Sequence, residues 1–305
     1  MNLRATLGLL AVVLCASAVA QDGAVEKYRL ALGGEFEFHQ TDHWIIAYSS
    51  KKEHAEQVGD ALEKLYKVFV ATFEEVGLEL NTDHEPLEVV LYKDRKAYDD
   101  HQSKRVRPQS IPSDGAYSPG SNRIVMIVPG SQRISSLINL AVHEGTHQLA
   151  FNLGVQNRRE SYPPWLGEGL ASAFETRDLD AEFGPLSSIR NPRWRNMALR
   201  AETGRTMPLA ELIVLRRPNM EPEAEQARDT MVDNSAIYNQ GASVVTFMLR
   251  EYPEQFVQYL RALEDLPRFR DPTSTWQEAF KKSFGDVEDF EKQWKEWLTK
   301  QDSHR

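Results

Sequence analysis

The sequence predicts an α+β fold, with an N-terminal lobe that combines a small mixed sheet with long helices and a C-terminal lobe that is helical throughout. Three observations predict it. Strand-like runs, at 43–49, 87–92 and 123–128, occur only in the first half of the chain. A long stripe of apolar residues at helical spacing separates the first two of them. After Pro163-Pro164 only helical periodicities and loops follow.

Residues 1–20 are a segment apart. Arg4 gives a short positive start, Leu7 to Leu14 an apolar stretch, and Ala18-Val19-Ala20 the small-x-small pattern of a signal-peptidase site, with cleavage expected before Gln21. The one cysteine, Cys15, leaves with this leader. The mature chain is therefore expected to be exported, periplasmic or secreted, with neither disulfide nor thiol chemistry.

The mature lobes divide at Gly154, giving 21–154 and 155–305. In the first, Ala55, Val58, Ala61, Leu62, Leu65, Tyr66, Phe69, Val70 and Phe73 form one helical face that stops at Gly77. Gln102 to Asn122 is polar and rich in Pro, Gly and Ser, and reads as a loop at a rim. Arg133 to Leu153 carries Ile134, Leu137, Ile138, Ala141 and Val142 on a helical face and stops at Gly154. In the second lobe a helix starts near Trp165, since Pro suits a first turn. Four more amphipathic helices follow at 236–250, 254–263, 273–282 and 287–298, with an acidic insert from Pro218 to Asp233.

With 305 residues, 41% of them hydrophobic, the chain can bury a sizeable core. A net charge of −9 argues against nucleic acid, whose phosphates call for an excess of Lys and Arg, and against anionic membrane surfaces. The mature chain has no run approaching the roughly 18 apolar residues of a membrane span.

His143-Glu144-Gly145-Thr146-His147 is H-E-x-x-H inside a segment already read as helical. Residues i and i+4 share a helical face about 5–6 Å apart at Cβ, so both imidazoles can converge on one zinc ion (Zn2+) at about 2.0–2.1 Å. Glu144 flanks the pair, where it can take a proton from a water activated by the metal. A catalytic site needs a third protein ligand. A His six residues on is excluded, because Leu153 stands there and Ala150 stands where that arrangement needs Gly. A Glu from the next helix is the alternative. Trp165-Leu166-Gly167-Glu168-Gly169 offers Glu168 after twenty intervening residues, enough for the chain to turn and return, and Gly167 and Gly169 leave room for close approach to the metal or the first helix.

With these residues the sequence resembles the gluzincin metallopeptidases, within them the membrane-alanyl-type zinc aminopeptidases and an exported bacterial group with a peptidase MA-like, zincin-like fold. The family's Trp-Leu-x-Glu-Gly-x-Ala-Ser-x-x-Glu pattern is matched by Trp165 to Glu175, and its Tyr-x-x-Gly-Ala segment by Tyr238 to Ala242. The resemblance implies that His143, His147 and Glu168 bind zinc, that Glu144 is the general base and that Tyr238 stabilises the oxyanion. An acidic support four residues past the third ligand is replaced by Ser172, and Glu175, one turn on, is the candidate for its role. The region Gly115 to Gly130 lacks the acidic residue with which the aminopeptidases hold a substrate's free amine.

The expectation is a zinc peptidase acting on peptide or protein substrates. The alternatives are a zinc-holding module that binds a peptide or envelope partner without turnover, and a hydrolase of another amide or ester. The remaining histidines lack ligand spacing. Arg158, Arg159, the cluster Arg190, Arg193 and Arg195, and Lys93 to Arg107 read as solvated faces. Trp276, Trp294 and Trp297 read as core. Ile124 to Val128 reads as a buried strand; if it is the sheet edge beside the cleft, it would pair with an extended peptide.

Overall fold

The computed structural model describes residues 23, 25–32, 35–102, 114–128, 134–160, 162–189, 191–216, 235–264 and 272–302. The leader at 1–20, the middle of the polar stretch at 103–113, Arg190 and the acidic insert lie outside them.

The α+β architecture is as expected. Five strands form one mixed sheet: β1 (Glu37–Gln40), β2 (Trp44–Tyr48), β3 (Leu87–Tyr92), β4 (Gly115–Ser118) and β5 (Arg123–Ile127), in the order β1-β2-β3-β5-β4. The three central strands, β2, β3 and β5, are parallel, and the outer β1 and β4 are antiparallel to their neighbours. Parallel strands are covered on both faces, which is why β2 is buried along its whole length. Successive side chains alternate between the two coverings. Trp44, Ile46, Tyr48, Val89, Leu91, Ile124 and Met126 join the main core. Ile45, Ala47, Val90, Tyr92 and Ile127 meet Tyr28 and Leu32 of a helical stretch at 25–32 and Tyr98 of α2 (Arg95–Gln102) on the other side.

The main core lies under α1 (Lys52–Glu75) and α3 (Ile134–Asn152). The stripe of α1 is buried except at its margin, where Tyr66 and Val70 are half-buried against the core, and its end is a left-handed Gly77 at φ 81° with Leu78 N–H returned to the Phe73 carbonyl at 2.9 Å. Gly145 lets α3 press on α1, since a Cβ there would lie 2.5 Å from Leu62 Cδ2. The H-E-x-x-H side chains are thereby left to another side of α3.

The second lobe holds α4 (Pro164–Phe174), the short α5 (Met197–Glu202) and α6 (Leu209–Leu212), a π-helical turn at Ala236–Gln240 that runs into α7 (Gly241–Glu251), and α8 (Pro253–Glu264), α9 (Pro272–Phe284) and α10 (Val287–Asp302). As expected, it contains no strand among the described residues. Its core is continuous with that of the sheet, and Trp276, Trp294 and Trp297 belong to it.

Two expectations need correction. The polar stretch 102–122 is not all loop, because β4 lies in it, and it is β4 rather than Ile124–Val128 that forms the sheet edge; β5 sits between β3 and β4. The β4–β5 hairpin is also latched to α3. Asn122 takes a left-handed φ of 53°, pairs reciprocally with the Asn152 side chain at 2.8–2.9 Å and accepts Gln148 Nε2 on its carbonyl at 3.0 Å.

Candidate metal centre

The two helices that follow the sheet bring three side chains to one point. His143 and His147, one turn apart on α3, have ring centroids 5.0 Å apart. Both aim Nε2 at Glu168 of α4: its Oε2 lies 3.2 Å from His143 Nε2 and 3.4 Å from His147 Nε2. A tetrahedral ion bonded at about 2.0–2.1 Å spaces its ligand atoms about 3.3–3.4 Å apart, so the observed separations fit. One ligand atom from each residue lies within 4.8 Å of the others, and the three could hold a metal ion.

The histidine tautomer is set from behind. His143 Nδ1 lies 2.9 Å from Glu175 Oε1. A carboxylate only accepts, so Nδ1 turns a hydrogen toward Glu175, the arrangement that would leave Nε2 to bond a cation held at the centre. Burial pushes the Glu175 carboxyl up, but the bonds from His143 and Arg193 outweigh it and hold it down at about 2. Glu175 sits at the C-cap of α4, two turns beyond Glu168 on the same face. Ser172, the other expected support, is wholly buried, and its Oγ has no hydrogen-bond partner among the described residues.

Glu144 is buried beside the pair, and its Oε2 accepts the backbone N–H of Tyr117 at 2.7 Å. A strand residue thus orients the candidate base. Tyr238 lies in the π-helical turn, its ring 6.0 Å from that of His143. Glu144, Tyr238 and the three candidate ligands line one cavity of about 730 Å3, whose lining also includes Gly115, Ala116 and Tyr117 of β4 and the aromatic Phe151 and Tyr162.

The tightest approach at Gly169 is to neither α3 nor the candidate ligands. A Cβ there would lie 2.5 Å from the carbonyl carbon of Gly241, so it admits α7 and the turn that carries Tyr238. Gly167 has room, with His147 Cε1 4.0 Å from where its Cβ would stand.

Sequence reasoning missed Arg193, Asn139 and Tyr117. Arg193 is not simply a solvated cation: Nε and Nη2 donate to the two oxygens of Glu175, each at 2.7 Å, and its guanidinium carbon lies 5.9 Å from the Tyr238 ring centroid. Burial pulls its pKa down, and the Glu175 bonds more than restore it. Asn139 Nδ2 adds a bond to Glu175 Oε2 at 3.0 Å. Asn139 stands four residues before His143, a helical spacing that could have drawn notice; Tyr117 acts through its backbone and leaves no sequence signal. Arg158, exposed as expected, nonetheless donates to the Tyr117 hydroxyl and to Asn122 Oδ1.

No curated protein matches the chain. Residues 137–270, less than half of the chain, match a family described as "Protein of unknown function (DUF1570)", and that stretch holds every residue of the centre except Tyr117 while leaving out all five strands.

Proposed function

We propose that the protein is an exported zinc-dependent peptidase of the gluzincin kind. The observation that carries the reading is the convergence of His143 Nε2 and His147 Nε2 on Glu168 Oε2 at tetrahedral spacing, with Glu144 alongside in the same cavity. Two imidazoles and a carboxylate, with a buried carboxylate behind one imidazole, suit zinc. Zinc held there supplies a Lewis acid that polarises the scissile carbonyl and lowers the pKa of the attacking water toward about 7.

The rest is done by the chain. Glu144 takes the proton of the attacking water and returns it to the leaving amine, its carboxylate aimed by the Tyr117 amide. Tyr238 donates a hydrogen bond to the oxygen on which negative charge develops. In this reading an extended peptide pairs with the edge strand β4, giving main-chain binding of peptide or protein substrates with little sequence preference. The leader sequence supports export to the periplasm or beyond.

The test is metal content together with the cleavage-site profile of the chain lacking residues 1–20. Glu144→Gln should keep its zinc and lose hydrolysis by about 10²–10⁴-fold, whereas His147→Ala should lose the metal. Full activity in Glu144→Gln, or stoichiometric zinc in His147→Ala, sinks the reading; peptide binding without turnover by the wild type favours a non-catalytic module instead.

A further inference from the structure

After Glu175 leaves α4, the chain comes back to it at Asn191–Trp194. Asn191 is buried, and its Nδ2 donates to the carbonyls of Ser172, Ala173 and Glu175, closing the last turn of α4. Its Oδ1 accepts the N–H of Arg193 at 2.7 Å. Trp194, the next residue, is anchored in the core against Trp297. Arg193 is thus fixed on both sides. Its guanidinium lies in a fork on Glu175, whose same two oxygens meet His143 and Asn139, and beside the ring of Tyr238.

We infer that Arg193 is a positioning residue: through Glu175 it fixes the ring of the metal ligand His143, and through its contact with Tyr238 it holds the oxyanion donor in the same cavity. A carboxylate is free to turn about its last torsion, which has broad wells. A planar guanidinium bonded to both oxygens removes that freedom, and an ammonium does not. The His143 part of the inference rests on the metal-binding part of the proposed function alone, and the Tyr238 part rests also on the proposed hydrolysis.

The experiment titrates the metal-free mature protein with zinc against a chromophoric chelator. Arg193→Gln is expected to bind zinc about 10–100-fold more weakly, the range for loss of a group supporting a ligand, and Arg193→Lys to fall between it and the wild type. A merely structural role would lower the melting temperature of both metal-free variants without ordering their zinc affinities. Wild-type affinity in Arg193→Gln overturns the inference and leaves the metal centre intact; a wild type that binds no zinc overturns both. If Arg193→Gln fails to fold, Arg193→Lys carries the same test against the wild type. At saturating zinc, the kcat losses of Arg193→Gln and Tyr238→Phe should be less than additive, and strict additivity would remove Tyr238 from the inference.

Discussion

Gly169 and Gly241 meet backbone to backbone, so that a methyl group on Gly169 would lie 2.5 Å from the carbonyl carbon of Gly241 and one on Gly241 2.8 Å from the Trp165 carbonyl oxygen. This contact brings α4, which carries Glu168, against the start of α7, which follows the turn carrying Tyr238. Neither backbone can yield as a flexible side-chain end would. Gly169→Ala should therefore destabilise by about 1–3 kcal/mol. Gly167→Ala, whose Cβ would make only ordinary van der Waals contacts at 4.0 Å with Gln156 and His147, should be neutral or gain up to about 1 kcal/mol of helix propensity. Urea denaturation of the two variants makes the comparison, and equal midpoints would remove the close crossing as a determinant.

Tyr238→Phe deletes one hydroxyl and leaves the ring beside His143 and Arg193. Loss of a single oxyanion donor lowers kcat about 10²–10³-fold. Zinc affinity should not change, because the hydroxyl is not among the candidate ligands. Unaltered kcat would make Tyr238 a wall of the cavity.

Gln148 is fully buried next to His147 and does three jobs: it accepts Trp44 Nε1 at 2.8 Å and donates to the carbonyls of Glu88 at 3.2 Å and Asn122 at 3.0 Å. Gln148→Leu strands all three groups at about 1–3 kcal/mol each. Chemical denaturation should show a loss of several kcal/mol, partly relieved in combination with Trp44→Phe, which removes the indole donor. Simple additivity of the two substitutions would count against the bond.

Glu63 supplies a pH signature away from the centre. Its carboxylate accepts the backbone N–H of His43 at 2.8 Å and faces His43 Nδ1 at 2.7 Å. Burial pushes its pKa up, but hydrogen bonds from Thr41 and His43 outweigh this and lower it. The folded protein therefore holds this proton less firmly than the unfolded chain. The stabilisation is complete above the unfolded value, about 4.3, and disappears as pH falls through the lower folded value. The stability advantage of the wild type over Glu63→Gln should shrink as pH falls below about 4.3; an advantage that goes on growing below that pH would refute the assignment.

The H-E-x-x-H helix, the α1 stripe and the helix carrying Glu168 were legible because each repeats at helical spacing or places its residues within one helix. Glu175 was legible for the same reason, seven residues after Glu168. Arg193 was not: it reaches Glu175 across an irregular loop, and a lone Arg in a basic cluster has no period to betray it. Gly169 showed that a close approach was needed but not to which helix, since Gly241 lies over seventy residues on. β4 hid for a different reason. Gly-Ala-Tyr-Ser is too short and too polar to read as a strand, and hydrogen bonding to β5 rather than composition holds it in the sheet.

The amide that steadies Glu144 belongs to an edge strand, so this carboxylate takes its aim from a hairpin as well as from its own helix. The tip of that hairpin is tied by Asn122 to Gln148 and Asn152, on the very helix that presents the carboxylate. Carboxylate and grip form a closed mechanical loop, and slack introduced at the distant asparagine pair is delivered to the Glu144 carboxylate as a change of angle.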